Sequence, residues 1–424
     1  MTLEHPAALA SPPIRWRDLR AILLIRTDNL GDVVLAGPAL RALRRAAPSA
    51  RLDLLAAPAG APAAQLLPEV DGVIAASVSW QQTGPVTGPP ADDRRLAERI
   101  AAGAYDAAVV LTSFSQTPWP AGYLCREAGV PIRVGTSKEF GGAGLTHWVP
   151  APPDPLHQVD RNLYLLERVG APATGRHLRL SIPAGATAAA GRALRARGAD
   201  PARPYALILP GASCPARSYP PDRYAEVAAL LAAPARGPGL PVVVAGTARE
   251  AGLVNRVAKP AGAVAVAGDL DVPALAAAIA GAAVVICNNS GGAHLADAVD
   301  TPVVVLFAGT EEVEQYRPRG TAATVLTIPT GCAPCRQFAC PYAQDCLAVP
   351  PERVAAQAAR VATGRRHPGV SGAVPGPISG SKASRRVRVG PGSVPDVLGA
   401  TLADTGYRRA RPPARPPSGR KAQP

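Results

Sequence analysis

The stretch R-T-D-N-L-G-D-V-V, residues 26–34 of a 424-residue chain, decides how this sequence is interpreted. It lies between an apolar run, residues 21–25, that is typical of a buried parallel strand and a segment, residues 38–47, that is typical of a helix with Pro in its first turn. The stretch is therefore predicted to form the loop at the carboxyl end of a first strand, where ligands bind in open α/β sheets. Asp28 and Asp32 lie in this loop, and a carboxylate placed there can act as a general base. The alternative is a structural role as a helix N-cap or turn aspartate.

Predicted strands and helices alternate along both halves of the chain. The predicted strands comprise residues 21–25, 51–55, 73–75, 107–111 and 132–134 in the first half, and 205–209, 242–245, 284–287 and 303–307 in the second. The predicted helices include residues 92–102, 159–169, 222–231, 272–279, 292–299 and 351–362. Alternation of this kind predicts an α/β fold in which parallel sheets carry helices on both faces.

The composition agrees with a large protein that is not secreted. Hydrophobic residues make up 47% of the chain, which is ample for two cores. The first residues lack the basic region and apolar core of a signal peptide, and the longest apolar run, residues 272–287, is shorter than a membrane span. Seven cysteines do not indicate a secreted disulfide scaffold in a chain this long. The expected location is the cytoplasm.

Most of the formal net charge of +14 comes from the end of the chain. Residues 365–424 contain twelve Lys or Arg and two Asp, and they show neither a helical nor a strand period. Residues 364–424 are therefore predicted to be a disordered basic tail rich in Pro, Gly and Arg. Such a tail favours peripheral association with an anionic inner membrane, whereas nothing in it indicates a fold for specific nucleic-acid binding. The alternative is a solubilising extension.

Two further stretches accompany the first one: N-N-S-G-G-A-H-L-A at residues 288–296 and P-G-A-S-C-P-A-R-S-Y-P at residues 210–220. Together the three resemble glycosyltransferase family 9, the ADP-heptose heptosyltransferases of lipopolysaccharide assembly. Residues 22–40 reproduce the family's first motif, an apolar strand, an Arg, often an Asp, then Gly-Asp and a Pro-led helix. Residues 289–296 match its later motif, Asp-Ser-Gly, two variable residues and His-Leu-Ala, at all but the first position. The third stretch resembles the family segment that ends in Lys-x-Trp-Pro, and the whole resemblance runs over residues 21–362.

The resemblance implies the GT-B architecture, in which two doubly wound, Rossmann-like domains face a cleft. It predicts an N-terminal extension at residues 1–19, an acceptor-side domain at residues 20–180 and a nucleotide-sugar donor domain at residues 181–363, ahead of the tail at residues 364–424. The last helix, residues 351–362, is expected to pack back toward the first domain.

The predicted pyrophosphate site is the start of the helix in the later motif. Ser290, Gly291 and Gly292 lead into this helix, whose N-terminus offers a favourable dipole and free backbone N–H groups. His294 falls on the family's His, which implies a hydrogen bond to a phosphate or sugar oxygen; the alternative is a buried histidine bound to a backbone carbonyl. Asn289 replaces the family's acidic residue, which contacts the donor sugar, so the identity of that sugar stays open.

Other donor contacts are implied by the third stretch and the strand after it. Arg217 falls where the family has a Lys that contacts the donor phosphates, and Tyr219 replaces the usual Trp. Ser213 is expected to bind the same phosphates. Glu250 matches a family Glu that reads the nucleoside. The alternatives are a solvated loop cation for Arg217 and an exposed glutamate at a helix start for Glu250.

The resemblance implies an inverting reaction in which one base deprotonates the acceptor hydroxyl. Asp32 is the predicted base and Asp28 is the alternative. Arg217, the helix end at Gly291 and His294 would stabilise the leaving nucleotide, so neither a metal ion nor another cofactor is expected.

Four cysteines in the loop at residues 332–346 are spaced C-x2-C-x4-C-x5-C. They are Cys332, Cys335, Cys340 and Cys346. Four thiols this close can hold zinc or an iron–sulfur cluster, but structural zinc sites usually pair two C-x2-C knuckles across a longer loop. Reduced or redox-paired thiols are the expectation, and no metal site is predicted. The one Asp-x-Asp, at Asp269 and Asp271, precedes a predicted helix and is interpreted as helix capping.

The predicted function is transfer of a sugar, heptose as the first candidate, from a nucleotide-diphosphate donor such as ADP-heptose. The acceptor would be a glycan or glycolipid of the cell envelope, lipopolysaccharide-like or other, bound by loops at residues 112–119 and 137–146. Two alternatives stay open. One is another GT-B enzyme of nucleotide sugars, an epimerase or a hydrolase, and the other is a binding protein without turnover.

Overall fold

The computed structural model of the chain describes residues 12–81, 92–234 and 238–362. Its first sheet has six parallel strands in the order β3-β2-β1-β4-β5-β6. The strands are β1 Ala21–Arg26, β2 Arg51–Ala56, β3 Gly72–Ala75, β4 Ala107–Val110, β5 Ile132–Ser137 and β6 His147–Pro150. The helices of this half are α1 Leu30–Val34, α2 Gly37–Ala46, α3 Ala61–Ala64, α4 Asp93–Ala102, α5 Trp119–Glu127 and α6 Gln158–Arg168.

The second sheet repeats this topology, with the order β12-β11-β10-β7-β8-β9. Its strands are β7 Ala206–Leu209, β8 Val242–Gly246, β9 Val264–Ala267, β10 Val284–Asn288, β11 Val303–Leu306 and β12 Ala323–Leu326. The helices are α7 Ala184–Ala196, α8 Pro221–Ala232, α9 Ala251–Ala258, α10 Val272–Gly281, α11 Gly291–Ala298, α12 Val313–Tyr316 and α13 Pro351–Ala362. The fold is therefore the expected pair of doubly wound α/β domains. The nine strands foreseen from sequence are all present, and β6, β9 and β12 are additional.

The central strands are apolar along their whole length because helices cover both faces of each sheet. Leu24 of β1, for example, is paired with Leu54 of β2 on one side and with Val109 of β4 on the other. In each sheet the chain reverses its direction of winding between two neighbouring strands, β1 and β4 in the first and β7 and β10 in the second. Loops at the carboxyl ends of such strands form the ligand crevice of doubly wound folds.

The segment after β1 differs from the predicted loop. It contains the short helix α1, which begins directly after Asn29, a residue with an extended backbone. Asp28 therefore lies in the loop, whereas Asp32 lies in the first turn of α1.

Helix α13 does not pack toward the first domain, so that expectation was wrong. Its buried residues Val354, Ala358 and Val361 lie in the same core as Ile208 of β7 and Ile286 of β10. The apolar stripe of α13 thus covers the outer face of the second sheet, where it contacts α8.

One hydrophobic core extends through both domains. It contains Leu24 of the first sheet together with Leu207 and Val285 of the second. The domains meet where α1 contacts α11 and where α3 contacts α10. Separate clusters fill the outer faces of the two sheets.

Within the described ranges, none of the helices combines the length and the apolar content that a membrane crossing requires. The predicted tail, residues 364–424, lies outside the described residues, as does most of the predicted N-terminal extension.

The connection before α6 also joins the domains. His157 accepts a hydrogen bond from the backbone N–H of Val159 through Nδ1 (3.2 Å), so its Nε2 carries the proton and donates to the carbonyl of Arg317 (3.1 Å). Asp160 on α6 forms an ion pair with Arg319 (2.7 Å). Burial lowers the pKa of His157 to about 4, which keeps the ring in the neutral form that these two hydrogen bonds need.

We expect His157 to make the folded state sensitive to acid. Its pKa of about 4 in the folded chain is below the ordinary value of 6.5, so between these pH values only the unfolded chain binds the proton. Its contribution to stability is therefore lost as the pH falls from 6.5 toward 4. Urea unfolding across this range should show a smaller loss for His157→Asn, which can still accept the Val159 hydrogen bond, than for the parent. Replacement of the exposed His177 by Asn is the control, and equal pH dependence in all three proteins would contradict the assignment.

Candidate functional site

A cleft of about 660 Å³ lies between the domains, at the carboxyl ends of the strands where the winding reverses. The loops after β1 and β4 form most of one side, which we call the first-domain wall. The residues after β7 and β10, with some that follow β11, form the second-domain wall. The structure places on these walls all the predicted site residues except Gly292 and Glu250.

The two walls approach each other most closely where α1 meets α11. A Cβ atom on Gly31 would lie 2.7 Å from Cδ2 of His294, and one on Gly291 would lie 2.8 Å from Cδ2 of Leu30. A side chain at Gly31 would therefore displace the His294 ring or α1, and one at Gly291 would displace the end of the Leu30 side chain. Glycine at both positions lets the two helix N-termini reach the same cleft.

A buried arginine holds the two carboxylates of the first-domain wall. Arg26 is fully buried, and its Nε lies 2.9 Å from Oδ2 of Asp28, while its Nη2 lies 2.8 Å from Oδ1 of Asp32. Nη2 also donates to Oγ of Ser113, which follows β4 (2.8 Å). Asp28 accepts a further hydrogen bond from Gln116.

The two carboxylates differ in access to the cleft. The side chain of Asp28 is 6% exposed and that of Asp32 is 16% exposed. Burial raises the pKa of Asp28, and the neighbouring charge of Asp32 adds to this effect. Asp32 is thus the carboxylate that a substrate reaches more readily.

Tyr316, at the end of α12, lies on the second-domain wall and was not predicted as a site residue. Burial raises its pKa to about 12, with a further contribution from the charge of Asp32. Its hydroxyl is therefore protonated at physiological pH and can donate a hydrogen bond inside the cleft.

Arg217 is fixed by residues of a neighbouring loop. Its Nη2 forms an ion pair with Glu311, its Nε donates to Oγ1 of Thr310 (3.0 Å), and its Nη1 lies 3.4 Å from Oγ of Ser213. Burial raises the pKa of Glu311, although Arg217 opposes the shift. A phosphate that binds Arg217 would compete with Glu311, a residue that no sequence motif marks.

Asn288, the last residue of β10, holds the loop that carries Arg217. This fully buried amide accepts hydrogen bonds from the backbone N–H of Tyr219 (2.9 Å) and the hydroxyl of Tyr224 (3.0 Å). It donates to the carbonyls of Pro210 (2.8 Å) and Gly211 (3.2 Å). Four bonds use the full capacity of the amide, so the loop is fixed to β10.

The N-terminus of α11 keeps its backbone donors available. Ser290 is the N-cap residue, yet its side chain makes no capping hydrogen bond. Gly292 packs behind it: a Cβ there would lie 2.6 Å from Cδ1 of Leu209. Asn289 is buried beside the cleft, and its backbone N–H donates to the carbonyl of Leu306 (3.0 Å).

His294 is neutral and lacks the carbonyl partner proposed as its structural role. Burial lowers its pKa to about 4. Among the described residues, its Nδ1 atom has no hydrogen-bond partner. The ring is thus a buried, uncharged group on the second-domain wall.

Glu250 lies behind the Arg217 loop rather than in the cleft. Its Oε2 accepts hydrogen bonds from the backbone N–H and the hydroxyl of Thr247, both at 2.8 Å, which caps the following turn. Its carboxylate touches the backbone at Gly211, where an added Cβ would lie 2.0 Å from Oε1. The structure thus places it beside the Arg217 loop, and its role toward a nucleoside stays a prediction.

The four C-terminal cysteines all border a second cavity of about 190 Å³. They are free thiols, and in the described part of the chain no group of three or more His, Cys, Asp or Glu is arranged to hold a metal ion. The loop supports the Arg217 segment, because the backbone N–H of Ala216 donates to the carbonyl of Phe338 (3.0 Å).

Asp271 caps α10 as predicted, with its carboxylate bound to the backbone N–H of Ala274 (2.8 Å), whereas Asp269 pairs with Arg197.

Comparison with known proteins gives a family match. The model described as glycosyltransferase family 9 (heptosyltransferase) matches residues 93–344, more than half of the chain. No curated protein shows a significant match to the chain.

Three solved structures are similar in fold. The glycosyl transferase family 9 protein from Veillonella parvula DSM 2008 is 21% identical, with a TM-score of 0.67 over 83% of this chain and 99% of its own. The E. coli ADP-heptose lipopolysaccharide heptosyltransferase II is 22% identical, with a TM-score of 0.65 over 81% and 99%. The E. coli heptosyltransferase WaaC with ADP is 19% identical, with a TM-score of 0.54 over 72% and 92%.

We expect Asn288→Ala to lower the free energy of unfolding by about 2–4 kcal/mol, because it leaves several buried backbone and hydroxyl groups without a partner. The loop that carries Arg217 should loosen as well. Asn255→Ala, which removes one hydrogen bond at the surface of α9, is the matched control. Equal stability of the two variants in urea would show that the loop does not depend on Asn288.

Proposed function

The chain belongs to glycosyltransferase family 9, and we propose that it moves a sugar from a nucleotide-diphosphate donor to a hydroxyl of a cell-envelope glycan, with inversion and without a metal ion. One observation carries the proposal. The cleft places an accessible carboxylate, Asp32, on one wall, and a cation and a free helix N-terminus on the other. These are the parts that a direct displacement at an anomeric carbon needs.

The second-domain wall is the proposed donor site. Arg217 and the backbone N–H groups at Ser290 and Gly291 can neutralise a pyrophosphate in the way that a metal ion would. Since the similar E. coli heptosyltransferase WaaC was solved with ADP, ADP-heptose is the first donor to test. Asn289 stands where the family has an acidic residue, so sugars other than heptose belong in the same panel.

Asp32 is the proposed base. Its contact with Arg26 is made through Oδ1, which leaves Oδ2 to accept a proton. In the proposed reaction the acceptor oxygen forms a bond to the anomeric carbon as its proton passes to Asp32. The bond between that carbon and the phosphate oxygen breaks, and the nucleotide leaves with the electron pair. Arg217, the start of α11 and the neutral His294 would stabilise the charge that develops on the leaving group.

The proposed acceptor side includes the loop after β4, where Ser113 accepts a hydrogen bond from Arg26 and Gln116 donates one to Asp28. We further propose that the basic tail, residues 364–424, draws the protein to an anionic membrane face that carries a lipid-linked acceptor.

We expect Asp32→Asn to reduce the rate of sugar transfer by about 10²- to 10⁴-fold, as loss of a general base does. Donor affinity should stay within about twofold, because the donor contacts lie on the opposite wall. Asp28→Asn is the comparison, since it keeps the Asp32 carboxylate, and its loss of turnover should be much smaller. Transfer rates, together with calorimetric titration of ADP, measure both quantities. An Asp32→Asn enzyme that turns over like the parent would show that the base lies elsewhere.

A further inference from the structure

The charged groups of the cleft are divided unequally between its walls. Among the described residues of the first-domain wall, the ionisable side chains are Asp28 and Asp32, and neither Lys nor Arg is present. The second-domain wall supplies Arg217, which is the one Lys or Arg among the described lining residues and is paired there with Glu311. Among the lining residues, positive charge is therefore confined to the side proposed for the donor.

Arg26 does not change this balance. Its guanidinium is fully buried and is paired with both Asp28 and Asp32, so the three groups together keep a net negative charge. An anionic group on the first-domain wall would face this charge in a partly desolvated site, where repulsion is stronger than in water.

The remaining polar side chains of the first-domain wall are uncharged. They are Thr27, Asn29, Ser77, Gln81, Ser113, Ser115 and Gln116. Hydroxyl and amide groups both donate and accept hydrogen bonds, which suits the hydroxyls of a sugar. Gln116 is held in place at both ends of its amide, since Oε1 accepts from the backbone N–H of Ser113 and Nε2 donates to Asp28.

Arg161 interacts electrostatically with Tyr316 of the cleft, and a further cation close to the cleft is Arg336, on the cysteine-rich loop. Its guanidinium carbon lies 4.0 Å from the centre of the Phe114 ring, and its charge acts on Glu311. Arg336 is thus engaged by an aromatic ring and lies close to a carboxylate. The segment after Gln81, residues 82–91, lies outside the described residues and contains no charged residue in its sequence.

We propose, on the basis of the proposed function, that the acceptor sugar at the first-domain wall is neutral and carries its hydroxyls free of phosphate or carboxylate groups. Two features select it: the uncharged hydrogen-bonding side chains accept it, and the Asp28–Asp32 pair repels its anionic analogues. Among cell-envelope glycans, those that end in a neutral hexose or heptose fit this wall.

The test is sugar binding by the full-length protein in the presence of saturating ADP, followed by saturation-transfer difference NMR. The probes are methyl glucoside, methyl mannoside, glucose 6-phosphate and glucuronic acid. At least one neutral glycoside should bind at least tenfold more tightly than the phosphate and the carboxylate. Ser115→Lys, which adds a cation to the first-domain wall, should reverse this order, whereas Arg336→Gln should leave it unchanged.

Tighter or equal binding of the anionic sugars would overturn the inference, as would loss of sugar binding in Arg336→Gln. Absence of neutral-sugar binding in a protein that binds ADP would also overturn it, while leaving the transfer reaction itself in place. Failure to bind any nucleoside diphosphate would instead count against the proposed function.

Discussion

The full burial of Arg26 at the end of β1 is the constraint on which the rest of the first domain depends. A guanidinium without solvent contact needs carboxylates within hydrogen-bonding reach, because unpaired burial of its charge is very costly. Asp28 and Asp32 form ion pairs with it because the chain turns back after Asn29 and forms α1 at once. Ser113 reaches the same group because β4 lies directly beside β1. The positions of both carboxylates are thus consequences of strand order.

In the second domain, the loop beside the cleft is held by a buried group that carries no charge. Asn288 occupies the end of β10 and holds the loop after the neighbouring strand, β7, through four neutral hydrogen bonds. The amide of Asn288 needs no counter-ion, and Arg217 is paired within the cleft with Glu311. The two domains share a topology, but the group buried where the winding reverses is a charged guanidinium in the first domain and a neutral amide in the second.

Much of this arrangement could be predicted from the sequence, because central parallel strands are continuous apolar runs and their loops carry the motifs. The three strands that were missed, β6, β9 and β12, lie at sheet edges, where half-exposed segments of four residues give little periodic signal. The place of α13 could not be predicted, since an apolar stripe does not specify which core it enters. Glu311 and Tyr316 reach the cleft from segments after β11 that carry no motif. Their role depends on distances to Arg217 and Asp32 that only the folded chain defines.

The hydrophobic core that passes from Leu24 to Leu207 and Val285 has a mechanical consequence. Any hinge movement that widened the cleft would have to separate apolar surfaces where α1 meets α11 and α3 meets α10, at about 25 cal/mol for each Å² exposed to water. The shared core therefore opposes any widening of the cleft, and the spacing of the two walls is set as the chain folds. In calorimetry, the two sheets are therefore expected to unfold as one cooperative unit.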